Sequence, residues 1–361
     1  MLQLKLSPAH ACRPAKIPLP LSGIALNIIG GVALLRQLER RLASWRGVAD
    51  TLRWPLVVLS LALQLLFVLR LTASWRTSSG RREFLLAQEL QSPRALSSYG
   101  ALLIASQLSF AQLHARSPGA AAAVHAASVL QYIVCALFLL RCATAREGPA
   151  PFWFPATVSL ATPAIVGPAI GTPLELQYIA LGFGVATTVC CWPPCVWRML
   201  CRRPDAGEHI ACDPSIFVSM APVAFVSLGA FSVMAGQGIV HDAHAPEELR
   251  PVVKLMALAN FASFNLTLLA ALQRVPSLRQ ALWPFSPAWA GLTFPLVSNC
   301  TVAVLLANYY SSKHCLLQCT AWSPFTDIWA RILVATTLVL IPLVDLAWIL
   351  HLPTWWCFHP L

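Results

Sequence analysis

The chain has 361 residues, of which 57% are hydrophobic and only 11% are charged. Soluble globular proteins carry roughly 25% charged residues, so this composition excludes an ordinary soluble enzyme, and it excludes a disordered chain because disordered chains are poor in apolar residues. The formal net charge of +11 is then best assigned to loops at a membrane surface and not to nucleic-acid binding.

Long windows without Asp, Glu, Lys or Arg recur along the whole chain. A helix that crosses the ~30 Å hydrocarbon core needs about 20 mostly apolar residues, and helices are the default because backbone groups in lipid must be satisfied within the segment. Nine such windows and a last one interrupted only by Asp345 predict ten transmembrane helices, in chain order Ile17–Leu35, Trp54–Leu69, Ala95–Ala115, Ser117–Leu140, Gly148–Leu174, Leu176–Trp197, Pro214–His241, Leu255–Gln273, Gln280–Ser312 and Ile332–Leu350. We therefore predict an all-α integral membrane protein, with one ten-helix domain over residues 17–351 between a segment of residues 1–16 and a short tail of residues 352–361.

The distribution of Lys and Arg in the loops predicts the orientation. The amino-terminal segment and every second loop together hold more Lys and Arg than the remaining loops, which favours a multi-pass plasma-membrane protein with both termini in the cytoplasm. A group of arginines around the first outside loop opposes this orientation: Arg36, Arg40, Arg41, Arg46 and Arg53. The segment before the first helix is too polar for the apolar core of a signal peptide.

Five of the 12 cysteines, among them Cys135, Cys191 and Cys300, lie in the apolar windows, where cysteine behaves as a small buried hydrophobe. We therefore predict neither a metal centre nor a cofactor. The exception is the pair Cys315 and Cys319, beside His314 in the loop before the last helix. If that loop faces outside, the two cysteines can form a local disulfide, whereas a structural zinc site ordinarily needs four ligands.

Proline is concentrated in the odd-numbered predicted helices. It occurs at the start of the first and within the fifth, seventh and ninth, whereas helices four and eight lack interior proline, and Pro193 and Pro194 come at the end of helix six. Helix ten, with Pro342, and helix three, with only Pro93 ahead of it, depart from this pattern. Proline kinks a helix and frees carbonyl groups, which lipid tolerates only where neighbouring helices or a water-lined cavity satisfy them.

The alternation predicts five helical hairpins, with kinked odd helices around a central pore and straighter even helices facing lipid; the alternative is that proline is simply common in transmembrane helices. Candidate pore-lining residues near the kinks are Pro20, Ser22, Gly23, Pro155, Thr157, Pro222, Thr293 and Pro295. Because the odd windows contain no charged residue, a path through them offers no carboxylate to a metal cation. Helix termini and hydroxyl donors can still bind an anion, so the pattern favours anion passage.

Short motifs in order along the chain carry a family resemblance. They are Lys16-Ile-Pro-Leu-Pro-Leu-Ser-Gly23, Glu89 to Pro93, Trp153-Phe154-Pro155, Met220-Ala221-Pro222, and Phe285 to Trp289 leading to Thr293-Phe294-Pro295. Together they resemble the tellurite-resistance and dicarboxylate transporter family, which includes the plant slow anion channels, over nearly the whole chain. Helix seven departs from the family pattern, because it has a single Pro222 where many relatives have a proline pair.

The resemblance implies five hairpins with quasi-five-fold symmetry, a homotrimer, and an uncharged pore blocked by a phenylalanine of helix nine. By motif that gate is Phe294, whose ring would block ions sterically and by dewetting until it swings aside. Without the resemblance, Phe294 is interpreted equally well as an aromatic residue packed in the core. Tellurite resistance, which names the family, need not extend to this chain.

Asp345 is the only acidic residue within a predicted span, which makes it a candidate proton-coupling site. It lies about a turn and a half from the end of an even helix, so the alternative is a carboxylate that is hydrogen-bonded at the interface. Two transport functions therefore stay open: a channel or transporter for inorganic anions or small carboxylates such as malate, and a proton-coupled dicarboxylate carrier. A polytopic membrane enzyme is disfavoured because catalytic motifs such as Gly-x-Ser-x-Gly and His-Glu-x-x-His do not occur.

Overall fold

The computed structural model describes residues 21–41, 47–76, 89–145, 148–201, 214–238, 249–273, 289–311 and 322–355. Within these ranges the chain forms helices and turns and no β-strand. The helical segments in chain order are α1 (Leu21–Arg41), α2 (Val48–Arg76), α3 (Pro93–Leu113), α4 (Gly119–Ala145), α5 (Pro151–Ile170), α6 (Leu174–Cys201), α7 (Ala221–Gly236), α8 (Arg250–Leu272), α9 (Ala290–Ser311) and α10 (Trp322–Trp355). The all-α class predicted from the sequence is confirmed.

Nine of the described helical segments are long and apolar enough to cross a membrane. The helix that is not among them is α3, which has 21 residues but includes four serines and two glutamines. These polar side chains do not lie at random, because Ser97, Gln107 and Ser109 of α3 are buried inside the protein. The chain is therefore a multi-pass helical membrane protein, and α3 stays a prediction as the tenth span.

The second predicted span begins too late, although its end agrees with that of the membrane-spanning stretch Val48–Leu69. The apolar window suggested Trp54–Leu69, whereas α2 begins at Val48 and continues to Arg76. The apolar window ended where charged residues begin. The helix α2 continues beyond that point, because its backbone hydrogen bonds do not depend on side-chain polarity and charged side chains are tolerated at the membrane interface.

Two details of the predicted proline pattern are also wrong. Because α6 continues to Cys201, Pro193 and Pro194 lie inside it and not at its end, and α2 contains Pro55. All three proline rings are exposed, so they face away from the helix packing and the helix continues past them. Interior proline is therefore not confined to the odd helices.

The prolines of helices five and seven do coincide with changes of helix type. The segment α5 alternates between 3-10 turns, Pro151–Trp153 and Val158–Ala161, and α-helical pieces, Phe154–Thr157 and Thr162–Ile170. A 3-10 segment, Pro214–Met220, leads into α7. Each α-helical piece has proline in its first two positions, where the missing N–H leaves no helical bond unmade. The predicted interruptions of these two helices are confirmed.

The helices form an inner and an outer layer. In the membrane-spanning windows of α1, α5, α7 and α9, 61% to 78% of the residues are buried, against 22% to 33% in α2, α4, α6, α8 and α10. Large apolar side chains are exposed on the even helices, for example Leu65, Ile133, Val189, Leu255 and Ile332. Such a surface suits lipid, so the even helices are the outer layer.

The backbones of α3 and α6 approach α5 closely at two glycines. A Cβ atom added at Gly100 of α3 would lie 2.4 Å from the carbonyl oxygen of Pro155 and 2.9 Å from the Cα of Ala156. At Gly184 of α6, an added Cβ would lie 2.5 Å from the Cβ of Ala161. Membrane helices associate through such small-residue contacts because lipid provides no hydrophobic driving force between them. The interrupted α5 is therefore held between two neighbours.

We expect Gly100→Ala to lower the stability of the detergent-solubilised protein by about 1–3 kcal/mol, the usual cost of overpacking, because the new methyl group would overlap the Pro155 carbonyl. The matched control is Gly31→Ala in α1, where an added Cβ meets no atom within 4 Å. Thermal unfolding measures the difference, and equal melting temperatures for the two variants would contradict the close approach.

Candidate functional site

Phe294 lies where three inner helices meet. It is half-buried in α9, immediately before Pro295. Its ring contacts the ring of Phe225 from α7 in an edge-on arrangement, with a centroid separation of 5.8 Å and an interplanar angle of 62°. On α1 it lies beside Gly30, where an added Cβ would be 3.6 Å from a carbon of the Phe294 ring. An aromatic ring at this junction can obstruct any path between α1, α7 and α9.

The other residues predicted to line the pore differ in exposure. Gly23 and Pro155 are partly exposed, and Pro20 lies outside the described residues. The remaining candidates are buried: Ser22, Thr157, Pro222, Thr293 and Pro295. The Thr157 hydroxyl donates to the carbonyl oxygen of Trp153 at 3.0 Å, so that hydroxyl is already used within α5.

Polar side chains on the outer helices bind the inner helices, and sequence reasoning missed these contacts. From α2, the Ser60 hydroxyl donates to the carbonyl oxygen of Ala25 on α1 at 2.8 Å. From α8, Asn260 Nδ2 donates to the hydroxyl oxygen of Ser227 on α7 at 2.7 Å. All four residues are buried. In the sequence, each of these donors was visible only as a polar residue within the otherwise apolar window of an even-numbered predicted helix.

The interrupted helices receive further bonds from α4 and α6. Gln131 of α4 donates to the hydroxyl oxygen of Ser159, which lies in a 3-10 turn of α5. Trp192 Nε1 of α6 donates to the carbonyl oxygen of Ser219 at 2.9 Å, just ahead of α7. Carbonyl and hydroxyl groups at the breaks are therefore satisfied by neighbouring helices, as the absence of water in lipid requires.

Asp345 of α10 is hydrogen-bonded to an inner helix. The amide nitrogen of Asn27 on α1 lies 3.1 Å and 3.2 Å from the two carboxylate oxygens of Asp345. Asn27 is fully buried, and its own Oδ1 has no hydrogen-bond partner among the described residues. The hydrogen-bonded carboxylate that the sequence left open as one alternative is therefore present, and its partner belongs to the first helix.

A second polar contact joins α1 and α10 at their other ends. Asp327 of α10 pairs through Oδ1 with Nη2 of Arg41, and through Oδ2 with Nε of Arg331 at 2.8 Å. Arg41 also donates to Oδ1 of Asn308 on α9 at 3.2 Å. Burial, and then the positive charge of Arg331, lower the pKa of Arg41 from its ordinary value. The last helix is thus fastened to the first at two places.

In the part of the chain that the structure describes, no group of three or more His, Cys, Asp or Glu could hold a metal ion, and the thiols of Cys135 and Cys300 are free. His314, Cys315 and Cys319 lie outside the described residues.

A family model for voltage-dependent anion channels, SLAC1, matches residues 26–348. The chain belongs to this family. The match spans α2 to α9 entirely, includes most of α1 and α10, and contains both Phe294 and Asp345. No curated protein matches the sequence. Membership of the SLAC1 family confirms the resemblance inferred from the motifs, and it identifies the general function as anion passage across a membrane.

We expect Asp327→Asn to destabilise the protein by about 1.5–3 kcal/mol, the range for hydrogen bonds to charged groups, because the partly buried Arg41 would lose its counterion. The control is Asp50→Asn, which changes an exposed carboxylate in the first turn of α2. Thermal unfolding in detergent measures both variants. A loss of stability for Asp50→Asn as large as for Asp327→Asn would argue against the ion pair as its cause.

Proposed function

We propose that this protein is a transmembrane channel or transporter that passes inorganic anions or small carboxylates such as malate through an uncharged pore closed by Phe294. The observation that carries the proposal is the half-buried ring of Phe294 between α1, α7 and α9, in a chain of the anion-channel family. The pore would run between α1, α3, α5, α7 and α9, which carry no Asp, Glu, Lys or Arg over residues 21–35, 95–113, 151–170, 221–236 and 289–311.

Helix ends inside the bundle support an anion as the transported species. The α-helical pieces Thr162–Ile170 and Ala221–Gly236 each follow a 3-10 segment, and neither has a side-chain cap at its amino-terminal end. The amino-terminal end of a helix carries a partial positive charge, which can favour an anion at a break in a membrane helix. A fixed positive charge would bind the anion more strongly and slow its release.

The architecture and assembly of the family complete the proposal. We infer that α3 is the tenth span, that the helices form five hairpins with quasi-five-fold symmetry, and that three copies assemble in the plasma membrane with cytoplasmic termini. The alternating burial of the helices and the loop charges support the hairpins and the orientation. The trimer rests on the family resemblance alone.

We expect Phe294→Ala to raise anion flux into liposomes roughly tenfold or more, equivalent to about 1.4 kcal/mol removed from the barrier, because the ring no longer fills the junction of the inner helices. Fluxes of chloride, nitrate and malate into liposomes that contain purified protein measure the effect. The control is Phe183→Ala, which removes a half-exposed ring from the outer helix α6 and should leave flux unchanged. Unchanged flux in a folded Phe294→Ala protein would remove the gate from the proposal.

A proton-coupled dicarboxylate carrier is the second candidate function, and the contact between Asp345 and Asn27 favours it. Protonated Asp345 could donate to Oδ1 of Asn27, the atom that lacks a partner among the described residues, after the amide rotates. The pair can therefore take up a proton and keep its contact. Of the helices that contact α10, residues 21–35 of α1 and all of α9 contain no carboxylate, histidine or basic group. The third, α8, contacts α10 through Phe261 and has Arg250 and Lys254 in its first two turns.

If the carrier mechanism operates, Asp345→Asn should abolish malate uptake driven by an inward proton gradient, because the variant has no group that can be protonated there. Uptake of labelled malate into liposomes, with and without the gradient, measures this. The control is Glu175→Gln, which alters an exposed carboxylate in the first turn of α6. Gradient-driven uptake that persists in Asp345→Asn would exclude Asp345 as the coupling site, and wild-type uptake that ignores the gradient would favour the channel.

A further inference from the structure

A single buried amide connects the two helices that carry the contacting phenylalanine rings. Asn299 lies in α9 and is fully buried. Its Nδ2 donates to the carbonyl oxygen of Pro295 in its own helix and to the carbonyl oxygen of Met220 at the end of the 3-10 segment before α7, both at 2.9 Å. Both hydrogens of the amide are therefore used, one on each helix.

The two carbonyl groups lie at the points where proline perturbs each helix. Pro295 is the proline inside α9. Met220 is the last residue of the 3-10 segment, and Pro222 follows within the first two positions of α7. Pro295 has no N–H to bond the carbonyl of Gly291, and the helix type changes directly after Met220, so each carbonyl that Asn299 binds lies beside an irregular step of the backbone. The Asn299 amide adds a restraint at both.

The gate rings lie within about one and a half helical turns of the carbonyl groups that Asn299 binds. Phe294 directly precedes Pro295, and Phe225 is five residues beyond Met220. Phe225 is 2% exposed, whereas Phe294 is half-buried. Phe225 is thus the fixed ring and Phe294 the accessible one, and a bond that joins their backbones also determines how closely the rings meet.

The oxygen of the same amide has no partner in the described part of the chain. Oδ1 of Asn299 is buried without a hydrogen bond, and a buried unpaired acceptor is unfavourable. The orientation of the amide is therefore decided by its two donated bonds, because rotation would bring the oxygen towards two carbonyl oxygens. A leucine of similar size would fill the space without this unpaired atom, so packing alone does not explain an asparagine here.

We propose that Asn299 is a positioning residue for the gate, which holds Phe225 of α7 as the seat against which Phe294 of α9 closes. The inference rests on the proposed function, since it assumes that Phe294 obstructs anion passage. Loss of the amide removes the hydrogen bond that joins α9 to the start of α7, and the rings of Phe225 and Phe294 then move apart. Asn299 then affects flux only through Phe294, which distinguishes it from a residue that merely stabilises the fold.

A double-mutant experiment separates these two roles. The purified variants are Asn299→Leu, Phe225→Ala, Phe294→Ala and the double variant Asn299→Leu with Phe294→Ala, and their chloride, nitrate and malate fluxes into liposomes are compared with wild type. The matched control is Asn260→Leu, because Asn260 is also fully buried and also binds α7, through Ser227, but from the outer helix α8. Thermal unfolding of each variant reports its fold.

We expect Asn299→Leu and Phe225→Ala each to raise flux several-fold, and Asn299→Leu to add nothing in the Phe294→Ala background. Asn260→Leu should lower stability without raising flux. An equal change of flux by Asn299→Leu in both backgrounds, or an equal rise from Asn260→Leu, would overturn the assignment. If Asn299→Leu does not fold, Phe225→Ala still tests the proposal. Unchanged flux in that variant would show that Phe225 is not the residue against which Phe294 closes. Absence of flux from every variant, Phe294→Ala included, would instead overturn the proposed function.

Discussion

Backbone N–H and C=O groups in the hydrocarbon core have no water to bind, and each unpaired group costs several kcal/mol. The inner helices of this protein nevertheless contain 3-10 turns and prolines at which regular helical bonds are lost. They are tolerated because a layer of outer helices excludes lipid and supplies polar side chains, among them Gln131 and Trp192. The two-layer arrangement is therefore a condition for the interrupted helices, which line the proposed anion path.

The division of chemistry between the layers suits the transport of anions. Lipid-facing positions of the outer helices are large and apolar, whereas the inner helices are rich in small, hydroxyl and proline residues and carry no charge over their middle portions. In the proposed path an anion would meet helix ends and hydroxyl donors and no fixed charge. Weak binding of this kind would allow release as well as entry, which is why the proposed function assigns the control of flux to a steric element, Phe294.

Two kinds of contact hold the inner helices in place. Close packing at Gly100 and Gly184 leaves α5 little freedom. Near Phe294, polar bonds are added to apolar packing: Asn299 joins α7 and α9, and Asn27 of α1 binds α10. Directional bonds of this kind can be exchanged when packed helices shift from one arrangement to another, which suits the part of the structure assigned to opening and closing.

Composition and apolar windows were enough to determine the class and nearly all of the membrane spans, and the proline pattern predicted the inner position of α1, α5, α7 and α9, because burial in lipid depends on properties summed along a local segment. The motif around Phe294 also identified the gate candidate. Only the tertiary structure decided which polar groups meet. Asn27 and Asp345 are 318 residues apart, and Asn299 binds a carbonyl 79 residues away. No local pattern encodes such partners, because a hydrogen bond depends on the relative placement of whole helices, and the same placement let α6 continue past Pro193 and Pro194.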